Sequence, residues 1–141
     1  MEDQQRLEEI LNELNVYKSQ ADLIQQQIDS VKASINELEI LETTLQSIKN
    51  GEDLEALVPL GAGSFINAEL KNTDEVIMSV GAGVAIKKDH ETASESIAAQ
   101  KDDLNKAMNQ LMENLQKISN VIEELSPQAE ELMQKVKGSE Q

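Results

Sequence analysis

The stretch LVPLGAGSFINAELKNTDEVIMSVGAGVAIKK, residues 57–88, states one pattern twice. A short apolar run meets Gly61-Ala62-Gly63 and resumes; the same happens around Gly81-Ala82-Gly83. Val, Ile, Phe and Met in partial alternation, broken by glycines that tolerate positive φ, are the mark of hairpin strands, and Pro59 falls at an edge or a strand end. The pattern predicts two β-hairpins joined by the polar Lys71-Asn72-Thr73-Asp74. In the second hairpin Val76, Met78 and Val80 share one face while Ile77 and Ser79 share the other, so both faces are partly apolar. A lone hairpin is marginal in water. These strands therefore need covering, most simply by the same strands of another subunit.

Outward from the hairpins the period changes from two to seven. On the N-terminal side Leu7, Leu14, Ala21, Ile28 and Ile35 recur at sevens, and Ile10, Tyr17, Ile24, Val31, Leu38 and Leu45 recur three residues later. These are the a and d positions of a coiled-coil seam, with a charge at the a position Glu42. Leu38, Leu41, Leu45 and Ile48 step by three, four and three, which reads as a stammer that re-aims the seam. Asn50-Gly51 suits a helix end. Residues 52–57 are acidic and read as irregular or as a short helical turn.

On the C-terminal side a helix is predicted to begin within Thr92–Ile97, with Thr92, Ser94 and Ser96 as candidate caps. It carries Ile97, Leu104, Leu111, Ile118, Leu125 and Leu132 at sevens, with Lys101, Met108, Leu115, Ile122, Ala129 and Val136 four residues after each. The phase continues through Ser126-Pro127, which predicts a kink and not an end. The two seams match in length at roughly 60 Å, from a rise of about 1.5 Å per residue. An antiparallel register that sets Ile10 opposite Val136 and Tyr17 opposite Ala129 brings Glu42 within about one layer of Lys101. Two seam charges can then pair instead of standing alone in a dry interface. Both chain ends would lie together, away from the hairpins.

The fold class that follows is mainly α with a small β part: a long antiparallel two-helix coiled coil with two β-hairpins inserted between the helices. One domain is expected over residues 1–141. It comprises a helix over 1–50, a double-hairpin assembly region over 51–91, and a second helix with a short tail over 92–141. With one Phe, one Tyr and no Trp among 141 residues, the chain lacks the bulk for a rounded core and should be elongated.

The net charge of −15 is spread evenly, at −6 over residues 1–50, −4 over 51–90 and −5 over 91–141. Such a chain repels phosphate backbones and anionic lipid, so no nucleic acid and no membrane is expected as partner. The absence of cysteine excludes disulfides and thiolate metal sites. The opening MEDQQRLEEI is too polar for a signal peptide, and no apolar run approaches the roughly 20 residues that span a bilayer. A cytoplasmic protein is expected.

Chemistry-bearing motifs are sparse. The Gly-Ala-Gly pairs lack the third glycine of a dinucleotide loop, having Ile66 and Ile86 there, and they precede strand instead of helix. His90, the sole histidine, reads as a solvated helix-start residue. Glu8-Glu9, Glu123-Glu124 and Glu130-Glu131 read as solvated helix faces, since neighbours on a helix point about 100° apart. No catalytic, cofactor or metal residue is assigned, and an enzyme is not expected.

More informative are apolar residues near the chain ends. Leu11, Val121 and Met133 flank the seam, beside Leu7, Ile10, Leu14, Leu125, Leu132 and Val136. They make either a broad helix–helix contact or a yielding apolar tip for exposed hydrophobic segments, with Met112 and Met133 as adaptable contacts.

With arms, doubled hairpin and free tips in hand, the chain resembles the prefoldin family, on its archaeal alpha-type side. The residues that carry the likeness are ELEIL at 37–41, LVPLGAGSFINAEL at 57–70, VIMSVGAGVAIKK at 76–88 and LSPQAEEL at 125–132. The two-hairpin insert separates alpha-type from one-hairpin beta-type subunits. The resemblance implies a jellyfish-shaped hexamer of two alpha-type and four beta-type subunits, so that partners are beta-type subunits and a second alpha copy. It further implies an ATP-independent chaperone that holds unfolded polypeptides between the arm tips and passes them to a group II chaperonin. The platform strands would be Val58–Leu60, Ser64–Ala68, Val76–Val80 and Val84–Lys87, with Val58, Leu60, Phe65, Ile66, Val76, Met78, Val80, Val84 and Ile86 in subunit assembly. The client-binding tip would comprise Leu7, Ile10, Leu11, Leu14, Leu125, Leu132, Met133 and Val136. The competing reading is a coiled-coil tether or scaffold that binds dedicated folded partners.

Overall fold

Two helices bracket four strands in the computed structural model, which describes residues 2–49, 54–71 and 73–139. The order is α1 (Glu2–Lys49), β1 (Leu54–Gly61), β2 (Ser64–Leu70), β3 (Glu75–Gly81), β4 (Val84–Asp89) and α2 (His90–Ser139). The predicted helix end at Asn50-Gly51 lies outside the described residues.

β1 pairs antiparallel with β2, and β3 with β4, as two separate two-stranded sheets. Each hairpin turns through a left-handed pair, Ala62 and Gly63 at φ 49° and 75°, and Ala82 and Gly83 at 53° and 74°. Positive φ at both central residues defines a type I′ turn, whose twist matches that of the flanking strands. Just before each turn the register slips. Pro59 faces Phe65 and then Gly61 faces Ser64, which leaves Leu60 unpaired; Val80 is skipped in the same way in the second hairpin. A bulge of this kind bends the strand, and Leu60 and Val80 are both exposed.

The strands are longer than their apolar runs suggest. Leu54–Leu57 is strand, not the irregular or helical segment expected, because Leu54, Glu55, Ala56 and Leu57 pair with Leu70, Glu69, Ala68 and Asn67. Backbone ladders ignore side-chain charge, so acidity hides them. α2 likewise starts earlier than predicted. Asp89 accepts the Thr92 backbone N–H at 2.7 Å, an N-cap contact that makes His90 the first helical residue. That bond holds the Asp89 carboxyl below its ordinary range, helped by the Thr92 hydroxyl and by nearby His90. Pro127 sits inside α2, which continues past it as the unbroken heptad phase requires.

His90 is not solvated. It is buried, and its Nε2 donates a hydrogen bond to the Thr73 carbonyl in the turn between the hairpins. A polar ring can be enclosed at such a junction because its donor is satisfied.

The chain divides into two compact units, one of Met1–Ala33 with Asn105–Gln141, the other of Ser34–Leu104. In the first, Ile10, Leu14, Ala129 and Leu132 form a buried cluster, with Leu7, Ile122 and Leu125 packed against it. In the second, Leu45, Ala93 and Ile97 are the core, with Leu38, Leu41, Ile48, Val76 and Met78 around it. The three-four-three spacing therefore corresponds to a wider apolar stripe. Leu41 and Ile48 join the cluster while Glu42 stays at the interface through Lys101.

Register is set one layer from the expected pairing. Ile10 and Leu14 meet Ala129 and Leu132, and Val136 is outside that cluster. In the second unit Lys101 Nζ donates to Glu42 Oε1 at 2.7 Å, with Glu39 at 3.8 Å. Shifting a seam by one layer still sets apolar against apolar, so hydrophobic pattern alone is nearly degenerate. The ion pair breaks the tie: one layer away, Lys101 would face Leu45 and Glu42 would face Leu104.

Candidate functional site

Two groups of apolar residues were singled out for interaction, and the structure treats them differently. On the hairpins, Val58, Leu60, Phe65, Ile66, Val80, Val84 and Ile86 are exposed, while Val76 and Met78 are half-buried against the Leu45–Ala93–Ile97 core. Alternation explains the split. Val76 and Met78 occupy the face that this chain's own helices cover, whereas Ile77, between them, is 69% exposed. Leu57, Leu70 and Ile77 are exposed as well and belong on any list of unpartnered hairpin residues. The signal for Leu57 and Leu70 was their place in cross-strand pairs beyond the predicted strand ends.

On the helices, Leu11 and Met133 are the exposed members of the proposed tip, at 38% and 40%. Leu7, Leu125 and Val136 are half-buried. Ile10, Leu14 and Leu132 are buried within the cluster they form with Ala129. The tip set thus joins a closed core to two flanking side chains. Val16, Leu23 and Met112 are exposed on the same unit outside the seam; of these, Met112 was named as an adaptable contact. Val16 and Leu23, one heptad apart but off the a and d positions, were legible only as a second stripe.

The Lys101 ammonium is held above its ordinary value chiefly by its hydrogen bond to Glu42. Among the described residues no group of three His, Asp or Glu side chains is placed to hold a metal ion, and no helix is long and apolar enough to cross a membrane.

A helix pair that buries its own seam, carrying two hairpins most of whose large apolar residues stay uncovered, fits a class: the coiled-coil subunit of an assembly. Comparison with known proteins narrows this. The Prefoldin family model, described as prefoldin subunit, matches residues 17–135. Prefoldin subunit alpha of Methanobrevibacter smithii is 52% identical over 139 residues, covering 99% of this chain and 95% of that one. Prefoldin subunit alpha of Methanosphaera stadtmanae is 38% identical over 133 residues, covering 94% and 96%. Among solved structures, the filamentous PFD of Methanocaldococcus jannaschii superposes with a TM-score of 0.71, at 24% identity, covering 83% of this chain and 98% of that one. The chain belongs to the prefoldin family, among its alpha-type subunits. Its role is that of a chaperone subunit, and a tether for dedicated folded partners is not favoured.

Proposed function

We propose that this subunit assembles through its hairpins with a second copy and four beta-type subunits, as one prefoldin-type domain per chain in a cytoplasmic hexamer. In this reading it holds unfolded polypeptides at the chain-terminal ends of its helices, without ATP or other cofactor and without catalysis, and passes them to a group II chaperonin. The observation that carries the assembly half is the exposure of Leu57, Leu60, Phe65, Ile66, Ile77, Val80 and Val84 on two hairpins of one short chain. So many large apolar side chains left exposed on two short hairpins are what a protein contact would cover. Support for the client-holding half comes from family membership together with Leu11 and Met133, which flank a closed core and are free to touch a client. Weak apolar contacts on several arms add through avidity, which leaves release easy.

The burial pattern chooses the test. Serine at Ile10 or Leu132 would open the core itself, so only Leu11→Ser with Met133→Ser asks about the surface. In the reconstituted hexamer this double variant is expected to suppress aggregation of a denatured protein about two- to threefold less well, at unchanged helicity and assembly. Unaltered suppression would remove these side chains from the client surface.

A further inference from the structure

An open groove of about 460 Å³ lies in the first unit, between the first turns of α1 and α2 near Leu125. Its floor is Ile10, almost wholly buried, and half-buried Leu125; its rim carries Glu2, Glu9 and Glu13, with Arg6 as the lining cation. None of these three carboxylates has an ion pair or hydrogen bond among the described residues. The adjoining groove beside Leu132 differs in charge. Asp3 and Glu131 are matched there by Arg6 and Lys135.

We infer that the groove over Ile10 and Leu125 gives this chaperone subunit a preference for cationic segments of unfolded polypeptide, in which Lys or Arg stands beside an apolar residue. The floor offers little apolar surface, because Ile10 is almost wholly buried and Leu125 half-buried. A lysine or arginine matches both parts of the lining, with an aliphatic stem suited to Leu125 and a charged head suited to the carboxylates of Glu9 and Glu13. An acidic segment would meet three carboxylates with one guanidinium between them. The net charge of −15 draws the same segments from a distance. This inference rests on the client-holding reading above and assigns the chemical class of client that these helix ends prefer.

The test uses the reconstituted hexamer and three fluorescent peptides with the same central Leu-Phe, flanked by Lys, Ser or Glu. Fluorescence anisotropy at low salt is expected to show the Lys peptide binding about fivefold tighter than the Glu peptide, as two exposed charge contacts allow, with the gap closing at high salt. Glu9→Gln with Glu13→Gln should reduce that ratio to below about twofold, since Gln keeps helix propensity and removes charge. A control with the same charge change outside the groove, Glu8→Gln with Glu123→Gln, should keep it. Equal binding of the Lys and Glu peptides overturns the inference, as does a preference that survives in the groove variant or disappears in the control. Displacement of the Lys peptide by native lysozyme as effective as by the peptide itself also overturns it, because the site would then read folded basic surfaces. Suppression of aggregation of an unfolded acidic protein, measured in parallel, separates the two readings: if it persists while the preference is absent, client holding stands and only the groove assignment fails.

Discussion

Ile97 has no exposed surface, while Ile77, on the second hairpin of the same unit, is 69% exposed. Ile97 sits at a seam position of α2 and is enclosed by Leu45 and Ala93 of its own chain. Ile77 stands on the strand face opposite Val76 and Met78, the two residues that the helices cover. Side chains of one chemical type thus have two fates. On the helix pair, burial is completed within the chain and serves folding; on the outward hairpin faces it is left incomplete, and in the proposed assembly the missing cover comes from another chain. The free energy at stake is similar in both places, since burial of an Ile side chain is worth roughly 1.5–3 kcal/mol wherever it occurs. What differs is whether the gain appears as stability or as association.

The largest expected effect tests this division directly. Val80→Asp with Ile86→Asp puts two carboxylates on exposed hairpin positions, and native mass measurement is expected to show loss of the hexamer while circular dichroism retains most helicity. A still-assembled protein would mean that the hairpins are not the joint. A sharper pair of variants follows. Ile97→Ala should lower stability in urea by about 2–5 kcal/mol, because the cavity lies in a closed core. Ile77→Ala should change the stability of the isolated subunit by less than about 0.5 kcal/mol and instead raise the concentration needed for assembly. Equal losses of subunit stability at the two positions would erase the distinction between the regions.

The smallest effect concerns register. Lys101→Met leaves Glu42 at the seam without its cation and should lower the thermal midpoint by a few degrees. Replacing both residues by Leu should recover the midpoint while broadening the helix–helix distance distribution measured between labels at the exposed Glu13 and Gln128, because the apolar seam then permits more than one alignment. The Lys101 pKa is raised by Glu42, so the stability it contributes is fully present below its ordinary value of 10.5 and is lost as pH rises through the higher folded value. Heating scans from pH 7 to 11 should show the contribution of this pair unchanged until the alkaline end, where it is lost.

Much of this architecture was legible in the chain. Eleven of the twelve α2 seam positions are apolar, which only a helix facing a partner stripe explains. Two Gly-Ala-Gly turns with apolar flanks announce two hairpins. Strand ends were missed where charge dominates, at Glu55 and Glu69, because the ladder that makes them strand is invisible to composition. The start of α2 was missed because three hydroxyl residues competed as caps and the carboxylate of Asp89 took the role. Of the candidate tip, the sequence could name apolar residues near the chain ends but could not sort Leu11 and Met133 from Ile10 and Leu132. That sorting depends on which side of each helix the other helix covers.

Element order, the inserted hairpins and family membership follow from the sequence, since turn chemistry and heptad period act over a few residues and leave their mark locally. The three-dimensional structure alone decides the layer at which Glu42 meets Lys101, the enclosure of His90 against Thr73, and the face of β3 turned inward. Each depends on a neighbour distant in sequence, and local pattern permits more than one arrangement with similar apolar burial.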